Sequence, residues 1–261
     1  MSLNWTNVKS LAIPVNGTAR DVKRVSIGGA VVWEKNTTPT ARDYVQAGLV
    51  AMWDGIENAG WGTHDANATV WKDLIGSANM GIASSAAWGV DCLTDAGGGG
   101  SSAAMASTSN SALMSALNSA TEFTIEMCAQ KTSATATSRL TWISTNYPIP
   151  LSVQSYATNT GITFYSDTAS TSVAASSVDL LNPFTVTIQQ TKSGGKSIYF
   201  NGQLKATNAT SAFGMNFANL FLGREGVSRK VFALRISNEL LTASEIARRA
   251  MIDRRRFGLG G

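Results

Sequence analysis

Histidine is nearly missing from this chain: His64 is the single one, which removes most catalytic-triad and zinc-hydrolase arrangements. Cysteine is scarce too. Cys92 and Cys128 stand far apart, with no CxxC spacing and no histidine beside either in sequence, so no zinc site is encoded; whether the two thiols pair is left open. No apolar run reaches the length that crosses a bilayer, and the N-terminus has no basic flank ahead of an apolar core, so the expectation is no membrane insertion and no export leader. Charge is sparse, at 15% of residues, with a formal net charge of +4. Arg248, Arg249, Arg254, Arg255 and Arg256 account for the excess, so the rest of the chain is close to neutral. Cations suit the end of a helix, where they oppose the partial negative charge of the last carbonyls, and no interleaved aromatic platform accompanies these five. A solvated helix face is therefore expected, and no nucleic-acid partner.

What is abundant is Ser, Thr, Ala, Asn and Gly, a mix suited to an all-β protein with many turns and small strand positions. The segment Ser197 to Thr207 sets two short alternating runs around Asn201-Gly202, the dipeptide that accepts the two positive φ angles of a type I′ hairpin. Val231 to Ser237 puts Phe232, Leu234 and Ile236 on one face, the period-2 signature of a half-buried strand. Thr242-Ala-Ser-Glu245 reads as a capping box, so a helix begins near Ala243. Ile246, Ala247, Ala250, Met251 and Phe257 fall near one stripe of that helix, Arg248, Arg249, Arg255 and Arg256 mostly face away, and Gly258 supplies the stop. Further strand patterns run over Gly48–Trp53, Phe123–Cys128, Leu140–Ser144, Leu151–Gln154, Ile162–Tyr165, Phe184–Thr191 and Leu220–Leu222. A low-complexity tract from Gly97–Gly100 to Ser119 leaves room for a short helix around Leu113–Leu117. Many short strands with one closing helix predict a sandwich over an α/β sheet.

Two units are expected. Residues 1–38 form a small β unit, with strands at Val8–Ile13, Val22–Val25 and Ala30–Trp33 punctuated by Pro14-Val-Asn-Gly17 and Gly28-Gly29, ending in a polar, proline-bearing linker over residues 36–40. Three short strands bury little, so this unit needs a neighbour or another copy of itself, and homo-oligomers through it are an expectation. Residues 39–261 form the main domain.

That main domain resembles the laminin-G-like, concanavalin A-like jelly-roll family. The resemblance rests on Gly48-Leu-Val-Ala-Met-Trp-Asp54, Trp71-Lys-Asp-Leu74, Phe123-Thr-Ile-Glu-Met127, Ile198-Tyr-Phe-Asn-Gly-Gln-Leu204, Leu220-Phe-Leu-Gly-Arg224 and the run Ala233 to Ile246, and it covers roughly residues 44–257. It implies an antiparallel two-sheet jelly-roll sandwich with ligands at the concave face or edge loops, sometimes beside calcium, and it fixes no single activity. Val32-Trp33-Glu34, closing the first unit, is similar to the N-terminal segments of phage tail or prophage structural proteins. That implies a virion part, assembled in the bacterial cytoplasm and extracellular after lysis, with a bacterial cell surface as the alternative.

Glycan-cleaving enzymes need two carboxylates about 5 to 5.5 Å or 6.5 to 9.5 Å apart. The strand pair Glu122 and Glu126 has Cα atoms roughly 13 Å apart, too far for either geometry, and the family's Glu-x-Asp-x-x-Glu signature is absent. Glu126 reads as an outward polar position. The loop from Asp54 to Asn67 instead collects Trp61, His64, Asp65 and Asn67, an aromatic ring with amide, carboxylate and imidazole groups of the kind that stack on and hydrogen-bond a sugar. The plainer reading is a self-packed loop with Trp61 covering the sandwich edge and Asp65 making an Asx turn. Asp54, Glu57 and Asp65 offer oxygens to calcium, without the order of an EF loop; no cofactor is required. Trp53 and Trp71 read as core, while Trp88, Tyr147 and Tyr165 have no assigned face. The sequence thus favours a recognition module that is not an enzyme, on a phage or prophage tail, binding glycans or neighbouring virion proteins through edge loops. A structural or oligomerising protein is the first alternative and a polysaccharide-cleaving enzyme the second.

Overall fold

In the computed structural model the described residues are 12–15, 18–21, 24–27, 30–34, 38–95, 104–133, 140–145, 151–155, 161–166, 172–209, 217–224 and 229–259, and the chain divides into Met1–Pro39 and Thr40–Gly261. In the first unit β1 (Ala12–Val15) pairs antiparallel with β2 (Thr18–Asp21), and β3 (Arg24–Ile27) with β4 (Ala30–Glu34). Two hairpins thus replace the three expected strands. Pro14 lies inside β1, a position a two-stranded ribbon tolerates because each strand has a free edge. Val8–Leu11, Gly28-Gly29, Gly97–Gly100 and Tyr147 lie outside the described residues.

The second unit opens with a 3₁₀ turn, Ala41–Tyr44, whose capping box joins Thr40 and Asp43. Then come β5 (Leu49–Asp54), β6 (Val70–Trp71), β7 (Met80–Ile82), β8 (Ala86–Trp88), β9 (Leu93–Asp95), β10 (Ala106–Thr108) and α1 (Ser111–Ser119). After these follow β11 (Glu122–Lys131), β12 (Leu140–Ser144), β13 (Leu151–Ser155), β14 (Gly161–Ser166), β15 (Ser172–Ser176) and β16 (Phe184–Thr191). The last elements are β17 (Lys196–Phe200), β18 (Gln203–Asn208), β19 (Leu220–Arg224), β20 (Arg229–Ser237) and α2 (Ala243–Phe257). One sheet runs β15-β14-β13-β12-β19-β10-β7-β6; the other runs β18-β17-β16-β11-β20-β9-β8, with β5 also on β20. Every pairing is antiparallel. The main domain is an all-β jelly-roll sandwich closed by a C-terminal helix, as the strand patterns predict.

Between the sheets lie Trp53, Phe123, Ile125, Met127, Trp142, Phe164, Phe184, Ile188, Leu222, Leu234 and Ile236, all buried. Alternate residues of β11, β16 and β20 point the other way, and they are polar: Thr124, Glu126, Thr185, Thr187, Gln189, Arg235 and Ser237. They are buried nonetheless, because α2 and the 3₁₀ turn lie across that face. Glu126 is the clearest departure from expectation, turned outward from the sandwich core as its phase predicts yet only 1% exposed, and paired with Arg249 and Arg235.

Phe232 departs for a second reason. Opposite β11 the register jumps, with Cys128 facing Ala233 and Ala129 facing Val231, so β20 carries an extra residue there. A bulge shifts the alternation by one; Phe232 leaves the face of Leu234 and Ile236 and packs on Phe257 at 5.6 Å between ring centroids. It joins Cys92, Cys128 and Leu259 in a cluster under the helix end, where both thiols are free.

Local signals set the helix ends as expected. Thr242 Oγ1 accepts from Glu245 N at 3.3 Å and Thr242 N donates to Glu245 Oε2 at 2.7 Å, and Gly258 stops the helix at φ 62°. Its buried stripe is Ile246, Arg249, Ala250, Ile252, Asp253 and Phe257. Arg249 therefore faces the sheet, not solvent, and the half-buried Arg256 turns to Asp54 and Glu57, while Met251 is exposed. The Asn201-Gly202 turn has φ 50° and 81°, as a type I′ hairpin needs. Gly202 has a further use, since a Cβ there would stand 3.0 Å from Ala247 Cα and 3.1 Å from Ala250 Cβ.

Candidate ligand-binding groove at the sandwich rim

The segment after β5 turns at Asp54, whose Oδ1 accepts from Ile56 N at 3.0 Å and Glu57 N at 3.1 Å. Gly55 is required there: a Cβ would fall 2.2 Å from Asp91 O, where the start of β9 reaches the end of β5 along β20. The loop then folds back on Asn58, which donates from Nδ2 to Asp65 O and accepts at Oδ1 from Asp65 N, both at 2.8 Å. Asp65 Oδ1 accepts from Asn67 N at 2.8 Å, an Asx turn. His64 Nδ1 lies 3.1 Å from Gly55 O.

The four proposed contact residues separate. Trp61 packs against the cluster of Tyr44, Leu49, Met52, Leu74 and Ile252, with the Arg42 guanidinium 4.3 Å over its ring. It lies on the outer face of the sheet, whereas the plainer reading of the loop has it covering the sandwich edge. His64, Asp65 and Asn67 are exposed on the other part of the loop, and there they meet a residue that sequence reasoning left unplaced. Trp88, at the end of β8, is half-buried; its Nε1 donates to Ala68 O at 2.9 Å. It stands edge-on to the buried Trp71 at 5.1 Å and to His64 at 6.4 Å. Beside it runs an open groove of about 370 Å³, walled by Asn67, Thr69, Ile82, Ser84 and Trp88 with small alanines between. The groove lies where β6 and β7 end one sheet and β8 ends the other.

The calcium set is not brought together either. Asp54 Oδ1 and Glu57 Oε1 accept from Arg256 Nη2 at 2.9 and 2.8 Å, so a guanidinium already occupies two of the three carboxylates. Glu57 Oε2 also accepts from Gly62 N at 2.8 Å. Backbone donors and Arg256 hold the Glu57 carboxyl below its usual range against the effect of burial, while burial keeps Asp54 above its own. Among the described residues no three His, Cys, Asp or Glu side chains converge as metal ligands.

A buried ionic layer carries this loop. Arg235 donates to both oxygens of Asp253 at 2.9 and 2.7 Å, Tyr44 Oη to the same carboxylate at 2.6 Å and Thr185 Oγ1 at 3.1 Å. Arg249 pairs with Glu126 and donates to Tyr44 O at 3.2 Å. Arg235 and Arg249 tie helix, 3₁₀ turn and sheet, and Arg256 ties helix to loop; the helical pattern assigns Arg249 and Arg256 to solvent.

No protein-family model matches the chain, and no curated protein matches it. Solved structures do. Trypanosoma rangeli sialidase in complex with sialic acid aligns with a TM-score of 0.59 at 15% identity, covering 89% of this chain and 36% of that one. The same sialidase with 2,3-difluorosialic acid, as a covalent intermediate, aligns at 0.58 with 18% identity, covering 78% of this chain and 33% of that one. The binding domain of botulinum neurotoxin DC in complex with SialylT gives 0.47 at 17% identity, covering 56% of this chain and 39% of that one. This chain spans about a third of the length of those sialidases. At such identities the likeness is one of fold. The expectation that the chain is not an enzyme is nevertheless corrected by it, because solved structures that match over most of the chain include sialidases, which are glycoside hydrolases.

Proposed function

We propose that the sandwich is a carbohydrate-recognition domain and that a saccharide sits in the rim groove beside Trp88. One observation carries the reading: an indole fixed by its own N–H bond and by Trp71 borders an open groove whose other walls are an amide, two hydroxyls and small apolar groups. Such a surface matches a sugar, which has apolar ring faces and hydroxyl edges. His64 and Asn67 are its adjacent polar contacts. The sialidase structure, described in complex with sialic acid, supports the ligand class. A glycan array carrying neutral and sialylated saccharides, read with and without calcium, tests it. Binding of a defined saccharide class by the full chain, weakened in Trp88→Ala, is the expected result; a blank array in both conditions overturns it.

A second reading, favoured by the sialidase matches, is that the domain serves a glycoside hydrolase. Release of free sialic acid from sialyllactose by the full chain supports it, and no release sets it aside. The laminin-G-like assignment and a place on a phage or prophage tail belong to the same proposal. Their support is the set of sequence pieces from Gly48 to Ile246 and Val32-Trp33-Glu34 in the first unit.

A further inference from the structure

We propose a second saccharide site, for a neutral pyranose, on the outer face of β16, β17 and β18, separate from the rim groove. Gln189, Thr191, Ser197, Tyr199, Leu204 and Leu240 wall an open depression of about 310 Å³ there. Leu204 is 53% and Leu240 38% exposed, two of the five large apolar side chains so exposed among the described residues, and both flank the half-exposed Tyr199 ring. Tyr199 and Leu204 are register partners across the hairpin, so a ring and an aliphatic side chain lie together on one face.

The polar side of the depression is built. Gln189, 5% exposed, gives both amide hydrogens inward, to Thr124 Oγ1 at 3.2 Å and Leu241 O at 2.8 Å. That leaves its oxygen toward Ser197, whose hydroxyl lies 3.4 Å away. With its hydrogen aimed at Gln189, Ser197 presents lone pairs, so the site offers acceptors beside an aromatic ring. Charge is turned away: Lys196, the one ionic residue in the walls, is buried and holds its ammonium 5.9 Å from the Phe164 ring on the inter-sheet side. An aromatic floor, aliphatic flanks and fixed acceptors, with the Glu122 carboxylate accepting from Leu240 N at 3.4 Å and the lysine of the walls turned away, fit a neutral sugar ring that donates hydroxyl hydrogens, and fit an anionic ligand poorly.

Saturation-transfer NMR on the full chain tests this with methyl glycosides of glucose, galactose, mannose and N-acetylglucosamine, using wild type, Tyr199→Ala, Ser197→Ala and Trp88→Ala. Transfer to ring protons of at least one glycoside is expected to persist in Trp88→Ala and to weaken about tenfold in affinity in Tyr199→Ala, the loss of one stacked ring. Ser197→Ala, which leaves the ring in place, weakens it less. Transfer lost in Trp88→Ala but unchanged in Tyr199→Ala overturns the second site and leaves the rim reading standing. Absence of transfer from every glycoside also overturns it. So does a Leu204→Lys, Leu240→Lys variant that converts a sedimenting dimer to monomer, which would make the depression a contact between copies of the chain.

Discussion

Tyr44 and Arg249 show at the residue scale how much of this protein depends on polar groups sealed under a helix. The Tyr44 phenol is held protonated by burial first and by the neighbouring Asp253 carboxylate second, which push its pKa far above the ordinary value. Above a pH of about 10 the unfolded chain releases this proton and the folded chain keeps it, so stability falls as pH rises. Urea midpoints measured from pH 8 to 11 should fall more steeply for wild type than for Tyr44→Phe, which has no such proton; equal slopes would remove Tyr44 from the account. Arg249 answers Glu126, with Arg235 Nε a further 3.5 Å contact. Arg249→Met leaves that carboxylate short of a partner and should lose about 3–5 kcal/mol. The double variant Glu126→Met, Arg249→Met should recover part of this in the same denaturation experiment, because two methionines bury together without a stranded charge.

Element ends were legible in the sequence because their causes are local. Thr242, Glu245 and Gly258 define α2 through bonds and a backbone angle that involve only neighbours, and Asn201-Gly202 defines its hairpin likewise. Phe232 was misread because its bulge is set by the partner strand β11, which no alternation within β20 records. Glu126, Arg249 and Arg256 were misread because period 2 and period 3.6 tell which side a residue faces, not whether another element covers that side. The two- and three-residue strands β6 to β9 carry too little pattern to read, and with them went Trp88 and the groove. At this scale Thr242→Ala should cost α2 about 1 kcal/mol by removing the cap. Since α2 ends over the cluster of Cys92, Cys128, Phe232 and Phe257, thiol labelling under native conditions should accelerate about fivefold in that variant. Unchanged labelling would mean that the thiols open by a route independent of the helix start.

At the scale of the whole molecule the sandwich divides its labour. The inter-sheet core is apolar and gives the fold; the opposite face of one sheet is polar, ionic and sealed where α2 crosses β11 and β20, and there it fixes the helix and the 54–67 loop; the open rim carries Trp88 beside exposed His64 and Asn67. Arg256 joins the last two, gripping Asp54 and Glu57 from the helix while Glu57 also holds Gly62. A rigid support beneath a binding edge is what preorganises contacts for a ligand. Calorimetric titration of the saccharide selected on the array tests the central claim most directly. Wild type should bind, and Trp88→Ala, checked to be folded at the temperature of the titration, should bind about tenfold more weakly, the value of one aromatic stack. Equal affinity in the two proteins would contradict the assignment of the rim groove.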